Sequence, residues 1–175
     1  MGCVGMNKLI GITGGIGTGK STLLHMLQDQ YGAYVVETDQ LAHGLMLPGN
    51  PVYDQIVDLF GTGILREDQK IDRKKLGALV FQNTEQLHQL NQIVHPAVKQ
   101  FILSDIERQR RNSIALYVIE AALLIEGGYR SICDELWYVY VNEEERFKRL
   151  IAGRGGSREK WEQVMRNQAD EAYYD

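Results

Sequence analysis

The 175-residue chain is poor in cysteine and proline, with two and three of them, and has no long apolar run. Cys3 and Cys133 offer neither a metal-ligand spacing nor a disulfide framework, and a reducing, cytoplasmic setting suits them. A membrane span needs about 20 consecutive apolar residues, so none is predicted. Excess positive charge is missing too: 19 Lys and Arg face 23 Asp and Glu, for a net charge of −4. That balance excludes a protein that coats nucleic acid through bulk charge. Any anion must therefore be met by local cations. No repeat or low-complexity tract is present. What remains is an ordinary globular composition, 44% hydrophobic and 24% charged, at the length of one domain with room for an insert. Met1-Gly2-Cys3 opens like a myristoylation signal, but Met6 stands where Ser or Thr is required. Met6-Asn7-Lys8 leads directly into the first apolar run and is an alternative start.

Glycine is not scarce, and eight residues use it with purpose. Residues 14–21 read Gly-Gly-Ile-Gly-Thr-Gly-Lys-Ser, the G-x-x-x-x-G-K-S phosphate loop. Glycine lets the backbone adopt positive φ and approach a phosphate without a Cβ. The turned backbone then forms an anion nest, and the helix that follows adds its positive end. Gly15, Ile16, Gly17, Thr18, Gly19, Lys20, Ser21 and Thr22 are thus the expected triphosphate-binding residues. Lys20 reaches the β/γ-phosphates and the Ser21 hydroxyl ligates Mg²⁺. The required context of strand, loop and helix is present: an apolar strand at 8–13 precedes the loop, and Leu23, Leu24 and Leu27 give the next segment a helical face.

Further strands are predicted at 33–37, 114–119 and 136–141. Helices are predicted at 19–30, 40–47, 52–60, 73–81 with Asp72 as N-cap, 84–94, a long one opened by Pro96, 143–151, and 158–173 capped by Ser157. In the long helix Val98, Ile102, Leu103 and Ile106 are expected to point inward. Residues 153–156 read as a flexible glycine loop. Strands alternating with helices imply an α/β fold with a parallel sheet covered on both faces. The helical stretch 52–112 falls between strands two and three, the place for an inserted substrate subdomain.

A phosphate loop alone does not separate kinases from other nucleoside triphosphatases. Asp39 follows the second strand, and open α/β sheets bind ligands outside their C-terminal strand ends. A carboxylate there can deprotonate an acceptor hydroxyl as it attacks the γ-phosphate, or it can simply cap the next helix. Arg146 and Arg149 share one helix face, and Arg154, among glycines, can close over the phosphates. Pairing with the acidic run 143–145 is the plainer role for these arginines. Glu120, after the third strand, can serve Mg²⁺ through water, cap a helix or lie exposed. The GTPase signals N-K-x-D and D-x-x-G are missing.

The phosphate-loop stretch 11–22, Glu37-Thr38-Asp39 with Ala42-His43, Val52-Tyr53, Ile71-Asp72-Arg73, Val80-Phe81, His95-Pro96, the segment 123–126, and Arg146 with Arg149 together resemble the dephospho-CoA kinase family. The resemblance runs over nearly all of 8–170. It implies a three-layer phosphate-loop kinase that uses ATP and Mg²⁺ to phosphorylate the 3′-hydroxyl of dephospho-CoA, the last step of coenzyme A synthesis. It implies a nucleotide core at 1–47 and 113–141, a helical acceptor subdomain at 48–112, a lid at 142–165 and an incomplete end of the core at 166–175. Asp39 becomes the base on the ribose hydroxyl, Lys20, Arg149 and Arg154 the catalytic cations, and His95, Leu123 and Glu126 neighbours of the acceptor. For His95 a structural role beside Pro96 is the alternative. The partners implied are the two small substrates, with neither nucleic acid nor membrane, for a monomer or weak oligomer in the cytoplasm.

The sequence departs from the family pattern. Glu37 stands where Asp is usual, and Ala122 where Pro is usual. Gly153 falls where the lid arginine belongs, with Arg154 one later. The family pattern continues past Gln168 into a further strand and helix, whereas this chain stops at Asp175. A missing edge strand is expected to expose 136–141 and to weaken the hold on adenine. Two alternatives stay open: another small-molecule phosphate-loop kinase, for a nucleoside, nucleotide or shikimate-like acceptor, and a nucleotide-binding protein without catalysis.

Overall fold

The computed structural model describes residues 8–122, 124 and 127–166. They fall into two compact units, 8–36 with 111–166, and 37–110.

The first unit is built on β1 (Lys8–Thr13), which enters the phosphate loop. The chain then turns into α1 (Lys20–Tyr31) and returns along β2 (Tyr34–Glu37). Gly32 ends α1 in the left-handed region at φ 61° and returns its N–H to the Gln28 carbonyl, a glycine termination. After the second unit come β3 (Leu116–Glu120) and β4 (Glu135–Tyr138). The sheet order is β2-β3-β1-β4, with β1 parallel to both neighbours. Lys8 lies opposite Leu116 and Ile12 opposite Glu120, while Thr13 lies opposite Tyr138. Asp134 fastens the start of the second pairing: its N–H donates to the Leu9 carbonyl at 2.8 Å and its carboxylate accepts from the Leu9 N–H at 2.7 Å. Within the described sheet β4 is an edge.

Ile10, Ile12, Leu24, Leu27, Ala33 and Val118 form the core between the sheet and α1. Burial of each Val, Leu or Ile side chain among them contributes about 1.5–3 kcal/mol. Gly11 lies in β1 because nothing larger fits: a Cβ would stand 2.8 Å from both Leu124 and Leu136. The third strand begins two residues later than the apolar run suggests. Ser113 turns at φ 57° and Ile114 precedes the ladder. Pairing with Lys8, rather than hydrophobicity, sets the register.

The second unit is helical. It holds α2 (Thr38–Leu45), α3 (Pro51–Phe60), α4 (Arg73–Phe81) and α5 (Thr84–Arg111), whose last residue leaves it. Asn50 caps α3, and Asp72 caps α4 by accepting from the Lys74 and Lys75 N–H groups. Helix α2 starts at Thr38, two residues earlier than predicted.

Helix α5 corrects the sequence reading. One 28-residue helix, with Pro96 inside it, replaces the predicted pair. An interior proline costs about 3 kcal/mol, but Val94, Val98, Ile102 and Ile106 keep one buried stripe through it. Leu103, expected inward, lies off that stripe and is exposed. Asn83 caps the helix, accepting from the Glu85 and Gln86 N–H groups.

The chain closes the first unit with α6 (Glu143–Arg154) and α7 (Arg158–Arg166). Helix α6 runs through Gly153 and ends at Arg154, so the predicted glycine loop shrinks to residues 155–157. Phe147, Leu150 and Trp161 form a small core joined by Ile16 of the phosphate loop. The predicted helix beyond Arg166, and Gln168, lie outside the described residues.

Candidate active site

The loop between β1 and α1 holds Gly14, Gly17 and Gly19 at φ 148°, 79° and 99°. The last two lie in the region that only glycine adopts readily. Space demands glycine as well: a Cβ on Gly14 would meet the Val139 carbonyl oxygen at 2.5 Å, and one on Gly17 would meet Leu150 at 2.9 Å. Thr18, buried, closes the curl by donating its hydroxyl to the Gly15 carbonyl at 2.9 Å. Gly19 stands at the N-cap of α1 without a side-chain cap. The first N–H groups of the helix are thereby left for an anion.

Lys20 folds back over its own loop. Its ammonium donates to the Gly14 carbonyl at 2.6 Å and the Gly15 carbonyl at 3.2 Å, and lies 3.8 Å from the Glu120 carboxylate. Glu120 is the last residue of β3, so sheet pairing sets its position. The cation is thus at the Gly14 end of the loop. Ser21 and Thr22 are exposed in the first turn of α1.

Helix α6 supplies two more cations. Arg146 Nε donates to the Ile16 carbonyl at 3.0 Å. Arg149 donates to the Thr18 carbonyl at 3.3 Å and pairs with Glu145 at 3.0 Å. Thr18, Gly19, Thr22, Leu23, Met26 and Arg149 line an open groove of about 510 Å³. It lies at the opposite end of the loop from the lysine ammonium. An apolar floor of Leu23 and Met26 under a guanidinium suits a flat aromatic base, which stacks on arginine.

The arginines are not equivalent. At 3.6 residues per turn, Arg146, Arg149 and Gly153 share a face of α6 and Arg154 is rotated off it by about 100°. Arg154 is the exposed last residue of the helix, not part of a loop. Gly153 therefore belongs to the helix, and the glycine loop begins only after Arg154. Sequence reasoning placed Arg146 on one helix face with Arg149 and gave it no catalytic role. Its contact with a loop 130 residues away has no sequence signal beyond its three-residue spacing from Arg149.

In the helical unit, Asp39 occupies the first turn of α2, just past β2. The helix is preceded by Glu37 as N-cap, and no side chain caps it. Asp39 therefore does not act as the cap. Its exposed carboxylate has no hydrogen-bond or ion-pair partner among the described residues. His95 is exposed in α5 beside Pro96. Leu123 and Glu126 lie outside the described residues. Among the described residues no cluster of His, Cys, Asp or Glu forms a protein-only metal site, and no helix is long and apolar enough to cross a membrane.

These features coincide with a known family. The family model for dephospho-CoA kinase matches residues 8–173. The dephospho-CoA kinase of Carboxydothermus hydrogenoformans is 44% identical over 151 residues, 86% of this chain and 73% of that one. That of Geobacter sulfurreducens is 41% identical over 158 residues, 90% and 80% of the two chains. The crystal structure of TT1252 from Thermus thermophilus superposes with a TM-score of 0.80 at 31% identity, covering 96% of this chain and 83% of that one. A dephospho-CoA kinase from Campylobacter jejuni shares the fold, with a TM-score of 0.59 at 24% identity over 92% and 79% of the two chains. With a glycine loop, a lysine folded to its Gly14 end and a family match over residues 8–173, this chain belongs to the dephospho-CoA kinase family.

Proposed function

We propose that this protein transfers the γ-phosphoryl group of ATP to the ribose 3′-hydroxyl of dephospho-CoA, giving CoA and ADP. The observation that carries this reading is the glycine loop with Lys20 folded to its Gly14 end, in a chain that matches the family over residues 8–173. The 3′-oxygen bonds to the γ-phosphorus, the bond from that phosphorus to the β-bridging oxygen breaks, and ADP departs. Asp39 takes the hydroxyl proton; its unpartnered carboxylate supports that assignment. The loop N–H groups hold the phosphates, and Lys20 balances charge on the β/γ oxygens. Arg149 stacks on the base from the groove beside Thr22. Arg154 is assigned to the transferring phosphate by the family pattern alone. His95 contacts the acceptor from α5, and Leu123 and Glu126 keep the acceptor-side assignment that the resemblance gave them.

The oxygen donors present fit Mg²⁺, a hard cation that binds through one or two carboxylates, substrate phosphates and waters. Ser21 would hold it directly and Glu120 through water. When bound it neutralises charge on the phosphate oxygens. The protein is assigned to the cytoplasm on its cysteine content and is given no nucleic-acid partner on its net charge of −4; the assignment as a monomer or weak oligomer rests on the family resemblance alone.

Incubation with ATP, Mg²⁺ and separately dephospho-CoA, nucleosides or shikimate, following ADP, tests the reading. CoA formation supports it. Turnover with another acceptor, or nucleotide binding without ADP release, would overturn it.

A further inference from the structure

A peptide group is planar and trans, so a carbonyl and the N–H bonded to it point in opposite directions. Helix α6 holds two loop carbonyls from one side. Arg146 binds the Ile16 carbonyl, and Arg149 binds the Thr18 carbonyl. Each bond fixes one peptide plane, and the N–H groups of Gly17 and Gly19 are thereby turned away from α6. Both glycines sit at positive φ, where a loop left to itself samples many conformations. Leu150, on the same helix, packs against Gly17, and Ile16 joins the Phe147, Leu150 and Trp161 core. Trp161 in turn donates its indole N–H to the Gly155 carbonyl at 2.9 Å, tying α7 to the end of α6.

We infer that Arg146 is a positioning residue for the nucleotide. It orients the Ile16–Gly17 peptide so that its N–H serves the phosphate nest, and it acts through the loop rather than by touching the phosphates. Arg149 does the same for the next peptide plane but one, while also lining the base groove. Arg146 stands about one turn earlier on α6, on the carbonyl side of the loop, opposite the N–H groups that face the phosphates. The inference rests on the assignment of residues 14–21 as the triphosphate loop.

Inorganic tripolyphosphate probes the nest without a base. Calorimetry with tripolyphosphate and with ATP is compared for wild type, Arg146→Ala and Arg146→Lys, alongside thermal midpoints and steady-state kinetics. Arg146→Ala is expected to weaken both ligands by the same factor, about tenfold for a lost charge-assisted hydrogen bond. The KM for dephospho-CoA is expected to stay at its wild-type value. Lysine keeps a donor, so Arg146→Lys is expected to recover part of the affinity. A fall in kcat with unchanged affinities would overturn the inference by placing the guanidinium on the reacting group. A lower thermal midpoint with unchanged affinities would overturn it by making the contact merely structural. Wild-type protein that binds ATP but not tripolyphosphate would overturn the loop assignment and this inference with it. Wild-type binding with an unshifted Arg146→Ala would overturn this inference alone.

Discussion

Leu150 packs against Gly17 so closely that a methyl group on the glycine would stand 2.9 Å from its Cγ. The phosphate loop is therefore held on two sides, by β1 and α1 through the chain and by α6 through space. Gly17→Ala meets two separate penalties, this contact and a left-handed φ that costs an L-residue about 1–2 kcal/mol. ATP affinity is expected to fall by about tenfold or more. The double variant Gly17→Ala with Leu150→Ala removes the contact but not the strain, and should stay weak. Leu150→Ala alone leaves a cavity and should lower stability by about 2–5 kcal/mol. Calorimetric ATP titration and denaturant melts read both effects. Wild-type affinity in Gly17→Ala would sink the account.

Lys20 is the loop's own cation, held by the Gly14 and Gly15 carbonyls with Glu120 behind it. Phosphoryl transfer depends on positioning and charge stabilisation. Lys20→Ala is expected to lower kcat by about 100-fold or more, the cost of removing one charge-stabilising donor. Circular dichroism should be unchanged, since the ammonium meets loop carbonyls and the carboxylate at the end of β3 rather than a helix or strand interior. A rate near wild type would refute the role.

How much of this was legible before the structure differs from element to element. The phosphate loop was, because each of its residues answers a local demand. The Asp72 cap and α4 were, for the same reason. Helix α5 was not: Pro96 is a strong local start signal, and only the buried stripe from Val94 to Ile106 carries the helix through it. Arg154 was misplaced because glycines at 153 and 155 read as a loop, while α6, capped by Asn142 and packed through Phe147 and Leu150, extends to residue 154. The bond from Arg146 to Ile16 is a tertiary contact that no local pattern encodes.

Asp39 tests the acceptor side. Asparagine keeps its shape and removes its basicity. A general base contributes typically about 10²–10⁴-fold, so Asp39→Asn should lose about that factor in kcat. ATP affinity should stay at the wild-type value, because the proposed role concerns the hydroxyl and not the triphosphate. Rapid-quench measurement of CoA formation with saturating ATP gives the rate directly. Equal loss of ATP affinity and kcat would remove Asp39 from the role of base.

Cys133 predicts a pH dependence that has nothing to do with catalysis. Its thiol sits against Gly11, between β1 and the start of β4, and burial pushes it up to about 11, with the Asp134 charge adding to the shift. In the unfolded chain the thiol ionises near its ordinary value of 9.0. Below that pH both states are protonated and the group contributes no pH dependence. Between about 9 and 11 the unfolded state has released its proton and the folded state has not, so stability falls as pH rises. The full loss is at most about 2 kcal/mol, since one pKa unit corresponds to about 1.4 kcal/mol and the site keeps some solvent contact. Tyr129 is also raised, first by burial and then by Cys133; the burial part is common to wild type and Cys133→Ala and cancels between them, while the part due to Cys133 is lost with the thiol and counts with it. Urea melts at intervals from pH 8 to pH 11 should give a difference between the two that is constant up to pH 9 and then shifts against the wild type. A difference that stays constant through pH 11 would show that the thiol ionises alike in both states.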